Sequence, residues 1–102
     1  MLGEPIMAKG YWVVTYRSVS DPAALARYGE RAPGLIASLG GRILARALPT
    51  RVYEAADAQR CVVVEFESVA AAIAAYEDAE YQEVARLLDG GVVRELRIVE
   101  GT

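Results

Sequence analysis

Apolar positions along the chain fall into two patterns: alternation in short stretches, and helical spacing between them. Tyr11 to Arg17 alternates, with Trp12, Val14 and Tyr16 on one face and Tyr11, Val13, Thr15 and Arg17 on the other. The first set is the more apolar and is expected to face helices. Asp21-Pro22 opens a helix, since aspartate is a favoured N-cap and proline is tolerated at the first helical position. Leu25, Tyr28, Ala32, Leu35, Ile36 and Leu39 then follow helical spacing, and Gly40-Gly41 stops the helix. Pro33 lies inside that stripe and removes a hydrogen bond to the Gly29 carbonyl, so a kink or break is expected between Gly29 and Pro33.

Arg42 to Arg46 reads as a second strand, with Ile43 and Ala45 facing one way and Arg42, Leu44 and Arg46 the other. Pro49 and the polar run Glu54 to Gln59 make the following hairpin connection, and Arg51 to Tyr53 is a candidate extension of the strand. Cys61 to Glu67 is the third strand: Val62, Val64 and Phe66 take the core side, and Cys61, Val63, Glu65 and Glu67 the other. Ser68 caps a second helix whose stripe is Val69, Ala72, Ile73 and Tyr76. Asp78 caps a short helix from Ala79 to Leu88, with Tyr81, Val84 and Leu88 inward, and Val93 to Val99 is the last strand.

The first strand-and-helix unit recurs. A shift of fifty positions places Val13, Val14, Ser18 and Val19 on Val63, Val64, Ser68 and Val69, and Tyr16 on Phe66. The order βαββαβ is the ferredoxin-like, split βαβ arrangement: an α+β fold with a four-stranded antiparallel sheet and helices on one face. Strands one and three are expected side by side at the centre, and the repeat suggests that they run parallel. Such a pairing would set Glu65 beside Thr15 and Glu67 beside Arg17. Residues 1–8 are expected to be a flexible N-terminal segment and residues 9–102 one domain; Met1 and Met7 are both candidate starts.

Composition narrows the function classes. A chain of 102 residues with 54% apolar residues can bury a single modest core. Its formal net charge of −3 argues against nucleic acid as a partner, because phosphate binding needs a basic face. No apolar run approaches the roughly 20 residues needed to cross a bilayer, and MLGEPIMAKGYW does not read as a signal peptide. The single cysteine, Cys61, lies in an apolar strand and reads as a small buried hydrophobe, so a reduced, cytoplasmic setting fits. With no histidine, histidine-based triads, zinc sites and haem ligation are out of reach, and no acidic spacing suggests another metal. No cofactor is implied. Tyr28, Tyr76 and Tyr81 sit on helix stripes and read as core, and Trp12 as an anchor beneath a helix.

Two helices cover only one face of such a sheet. The other carries Tyr11, Val13, Leu44, Cys61, Val63 and Val99, an apolar patch that a soluble monomer rarely leaves bare. A second copy of the chain is the simplest cover, giving a homodimeric barrel with helices outside. Charges share that face: Thr15, Arg17, Arg46, Glu65, Glu67 and Arg97. Glu65 is expected within reach of Arg46 or Arg17. Two readings stand side by side. In one, Glu65 and the arginines line a polar pocket inside the barrel. In the other they fix dimer register or rim the interface.

Several short motifs, in order, resemble a bacterial family catalogued as domain of unknown function 1330. They are Gly10-Tyr11-Trp12, Tyr28, Gly40-Gly41-Arg42 with Leu44 and Arg46, Val64-Glu65-Phe66 with Ser68, and Tyr76 with Glu80-Tyr81. The chain departs from the family pattern at Ala47-Leu48, Glu67 and Ala75. The resemblance implies a dimeric α/β-barrel fold, shared with cofactor-independent monooxygenases and lactone isomerases, but no agreed activity. Arg42, Arg46 and Glu65 match the family pattern, and with Thr15 and Arg17 from the same uncovered face they make the candidate ligand-binding set, with the catalytic residues unknown. The expected function is binding of a small anionic or aromatic metabolite in the barrel pocket. The alternatives are a cofactor-independent monooxygenase- or isomerase-like enzyme, with Glu65 as base and Arg46 stabilising an anion, and a purely structural dimerisation module.

Overall fold

The computed structural model describes residues 8–102; all but the last residue of the expected N-terminal segment lies outside the described residues. The elements are β1 (Gly10–Val19), α1 (Pro22–Ser38), β2 (Arg42–Ala47), β3 (Cys61–Phe66), α2 (Val69–Glu77), α3 (Ala79–Ala85) and β4 (Val92–Glu100), with a 3₁₀ turn at Arg86–Leu88. The four strands form one sheet in the order β2-β3-β1-β4. Every neighbouring pair is antiparallel. Residues 51–53 lie in the connection between β2 and β3 and extend neither strand.

Local chemistry starts each helix where the caps stand. The Ala23 amide donates to Asp21 Oδ1 (3.1 Å), the Ala71 amide to Ser68 Oγ (3.0 Å) and the Tyr81 amide to Asp78 Oδ2 (3.0 Å). At the end of α1, Gly40 turns left-handed (φ 93°). The amides of Gly40 and Gly41 then donate to the carbonyls of Ala37 and Ile36, closing a Schellman motif that only glycine enters without strain.

The helices lie on the face of Trp12, Val14, Tyr16, Val64 and Phe66, all buried. Trp12, 1% exposed, is the anchor of this core. Its indole N–H donates to the Ala72 carbonyl (2.8 Å), and its ring lies 5.0 Å from those of both Phe66 and Tyr81.

Three expectations are corrected. First, α1 runs without interruption from Pro22 to Ser38 through Pro33. The lost hydrogen bond falls on Gly29, whose lack of a side chain lets the backbone give way to the proline ring. Second, β1 and β3 are antiparallel: Tyr11 faces Glu65 and Thr15 faces Cys61. In a split βαβ fold each crossover skips one strand, so the two repeats meet head to tail. Third, the register of β2 shifts between Ile43 and Ala45. This bulge at Leu44 reverses the alternation beyond it, and Arg46 pairs with Val62 on the helix side, not on the uncovered face.

Gly10 shows how tightly β1 meets the start of α2. A Cβ at that position would lie 2.5 Å from the Ser68 carbonyl oxygen and 2.7 Å from Val69 Cα, both backbone atoms. Gly10→Ala should therefore destabilise the fold by about 1–3 kcal/mol, as overpacking does. Urea unfolding checks this; a variant as stable as the parent would contradict the close approach.

Candidate functional site

A cavity of about 400 Å³ lies between α1 and the helix-covered face of the sheet. That size falls within the range of small-molecule sites. Its floor is Trp12, Val14 and Tyr16 of β1 with Val62 and Val64 of β3. Its roof is the face of α1 that carries Tyr28, Gly29, Ala32 and Pro33. Most of the wall is apolar. Three cations interrupt it: Arg46 from β2, Arg60 just before β3, and Arg94 from β4. No carboxylate lines the cavity.

Arg94 is held in place by aromatic side chains. Its register partner is Tyr16 on β1, which points it under the helices. Its Nη1 donates to Tyr28 Oη (3.3 Å) and its Nη2 to Tyr81 Oη (2.9 Å). The two phenol oxygens are 2.6 Å apart. The guanidinium carbon also sits 5.0 Å from the centre of the Tyr28 ring, at cation–π distance. Among the described residues Arg94 forms no ion pair. Burial works against its charge, but the oxygens of Tyr28 and Tyr81 outweigh it, so Arg94 stays protonated. Burial also raises the pKa values of Tyr16 and Tyr28 above the ordinary tyrosine range, against the opposing pull of Arg94, so both phenols are neutral at ordinary pH.

The expected site residues divide between two faces. Arg46 enters the cavity. Thr15, Arg17, Arg42 and Glu65 do not. Glu65 lies on the uncovered face as alternation requires, yet neither Arg46 nor Arg17 is its partner. Tyr11 Oη donates to Glu65 Oε2 (3.0 Å), and this hydrogen bond is the main reason that the Tyr11 pKa is raised. Arg42 is in register with Glu65. Arg17 bonds instead to Glu95 (2.7 Å), holding that carboxylate below its usual pKa, and Arg97 adds a second contact at 3.5 Å. Lys9, not Arg17, pairs with Glu67 (3.1 Å). Cys61 is half-exposed and not fully buried, because its face of the sheet has no covering layer.

Arg60 and Arg94 have no place in the expected site, although β4 carries a signal for the latter. Val92, Arg94, Leu96 and Ile98 alternate, so an arginine stands in an otherwise apolar row. The tyrosine stripes are core as expected, with Tyr28 8% and Tyr81 0% exposed, but their hydroxyls also form the polar corner of the cavity. Among the described residues no group of three His, Cys, Asp or Glu side chains could hold a metal ion.

An antiparallel ferredoxin-like sheet of this kind, with helices on one face and a cavity between α1 and the sheet, defines the class. The chain belongs to the family named domain of unknown function, DUF1330, whose model matches residues 9–102. No curated protein matches it. Among solved structures it is similar to RPA0582, a protein of unknown function from Rhodopseudomonas palustris: 18% identity, TM-score 0.68, covering 93% of this chain and 83% of that one. It is also similar to SnoaB, a cofactor-independent oxygenase from Streptomyces nogalater: 14% identity, TM-score 0.65, covering 93% and 94%. A conserved protein from Methanosarcina mazei Go1 matches at 12% identity and a TM-score of 0.57, covering 91% and 93%. At these identities the likeness is one of fold. No helix among the described residues is long and apolar enough to cross a membrane.

The buried phenols set a pH limit. Tyr16 and Tyr28 lose their protons near 10.0 in the unfolded chain and only at higher pH in the folded one. Their contribution to stability is thus complete below pH 10.0 and declines as pH rises through the folded-state values. Urea midpoints should fall between about pH 8 and about pH 11, and Tyr28→Phe should flatten the slope. An equal slope in the variant would contradict this assignment.

Proposed function

We propose that the chain binds a small, mainly apolar aromatic molecule carrying an anionic oxygen, in the cavity between α1 and the sheet. One observation carries the reading: a protein of net charge −3 lines one apolar cavity with three arginines and no carboxylate. A guanidinium that faces phenols and no counter-ion is an unanswered charge, and an anionic ligand answers it. Trp12 and the two tyrosines offer flat surfaces for a ring. Arg46 is exposed and stands at the mouth, where it would meet the ligand's charge.

Trp12 is the only tryptophan, so its fluorescence reports on the cavity. Anilinonaphthalene sulfonate, an anionic aromatic probe, should quench it and bind more tightly than the neutral phenylnaphthylamine. Arg46→Ala should weaken the anionic probe about tenfold, the scale of a lost hydrogen bond to a charged group, and leave the neutral one unchanged. Equal binding of the two probes would rule the reading out. A second reading, catalysis in the same cavity, is favoured by the Tyr28–Tyr81–Arg94 cluster, which can stabilise charge developing on a ligand oxygen. The fold likeness to a cofactor-independent oxygenase points the same way. Consumption of dissolved oxygen in step with loss of an added phenol, over many turnovers, separates enzyme from binder.

The assembly proposed is a homodimer in the bacterial cytoplasm, joined through the uncovered sheet faces. Support comes from that face itself: Tyr11, Val13 and Val63 are only half-covered, while Val99 is 47% and Leu44 46% exposed. In this reading Thr15, Arg17, Arg42 and Glu65 serve the contact and not the ligand. The free thiol of Cys61 on the same face suits a reducing compartment. A stable contact of this kind buries about 1,200–2,000 Å². Light scattering should report a dimer at micromolar concentration, and Val63→Glu should convert it to monomer by setting an unpaired charge on each side. A monomeric parent protein would end the proposal.

A further inference from the structure

From the hydrogen-bond geometry we infer that Tyr28 is the residue that selects the ligand: its O–H points into the cavity as a donor to a phenolate- or enolate-type oxygen. This rests on the cavity being a ligand site, as proposed above. The protons of the corner can be counted. Arg94 donates to both phenol oxygens, so Tyr28 and Tyr81 each accept one hydrogen bond from it. Their oxygens are 2.6 Å apart, so one O–H lies between them. The other O–H must point elsewhere.

Tyr81 is 0% exposed, does not line the cavity, and has no further hydrogen-bond partner among the described residues. If Tyr28 donated to Tyr81, the Tyr81 proton would be buried with nothing to accept it, a costly state. The reverse arrangement satisfies every group. Tyr81 donates to Tyr28, and Tyr28, which does line the cavity, has its own proton left to give. Tyr28 then accepts from a cation and a phenol while donating outward, which polarises its O–H and strengthens the bond it makes. The charged and titratable groups around Tyr28 are Arg94 of β4 and Tyr81 of α3, in direct contact with it, and Tyr16 of β1, Arg46 of β2 and Arg60 ahead of β3, which line the same cavity. None of them is a carboxylate or an imidazole. The corner therefore gives protons and does not take them, and it favours a ligand whose acidic oxygen binds as the anion.

The test uses para-nitrophenol, whose phenol and phenolate forms absorb at different wavelengths, bound to the full chain over a range of pH. The bound phenol should ionise at lower pH than the free one. Tyr28→Phe should weaken phenolate binding about tenfold or more, moving the bound ionisation back toward that of the free phenol. Tyr81→Phe should cost less, because Tyr28 keeps its proton and its contact with Arg94. Wild type and Tyr28→Phe with the same bound ionisation would overturn this inference alone. So would equal losses in Tyr28→Phe and Tyr81→Phe, which would make the cluster a structural unit. Wild type that binds neither para-nitrophenol nor anilinonaphthalene sulfonate would overturn the cavity reading and this inference together.

Discussion

The burial of Trp12 under α2 and α3 is the constraint from which the rest is positioned. The residue stands on a central strand, packs on Phe66 of the next strand, and spends its one N–H on a helix carbonyl. An indole buried this deeply without that acceptor would carry an unpaired donor, so the carbonyl of Ala72 fixes where α2 can lie. The alanines of α2 then make sense. Ala72 and Ala75 are buried, and their small side chains bring the helix down onto the sheet. Tyr81 follows on α3, 5.0 Å from the indole, and its hydroxyl reaches the corner where Arg94 waits.

That corner is expensive to build. A guanidinium partly withdrawn from water, with no carboxylate to meet it, is not a device for stability. The phenols and the cation–π contact offset some of the cost, and the remainder is carried by a well-packed aromatic core. On the uncovered face the balance is different. There Arg17 and Arg97 meet Glu95, Lys9 meets Glu67, and Tyr11 meets Glu65. Charges that are paired at the surface contribute little energy and help to fix orientation. In the cavity Arg94 meets phenol oxygens, and no carboxylate lines the wall.

Much of this fold was legible in the sequence because period and caps are local. Asp21, Ser68 and Asp78 each stand at the boundary that their side chains create, and Trp12, Val14 and Tyr16 alternate inward as β-structure requires. The misreadings share a cause: each depends on contacts that lie outside the local pattern. One extra residue at Leu44 moves Arg46 from one face to the other, and nothing in the run Arg42 to Ala47 marks it as a bulge. The antiparallel pairing of β1 with β3 follows from how two crossovers interleave, whereas a repeat in sequence carries no direction in space. Pro33 does not break α1 because the residue four before it is a glycine.

The site was harder to read than the fold, for a related reason. A tyrosine on a helix stripe is rightly assigned to the core, but the assignment says nothing about where its hydroxyl ends. Tyr28 and Tyr81 come from α1 and α3, Arg94 from β4, and they meet only because β4 lies beside β1 at the edge of the sheet. Arg94 was marked in the sequence by its place among Val92, Leu96 and Ile98, a cation in an inward row. An arginine drawn partly out of water needs oxygen partners, and no Asp or Glu shares the inward faces of β1 and β3. The partners therefore had to be hydroxyls or a ligand. Here they are hydroxyls on one side, and an open cavity on the other.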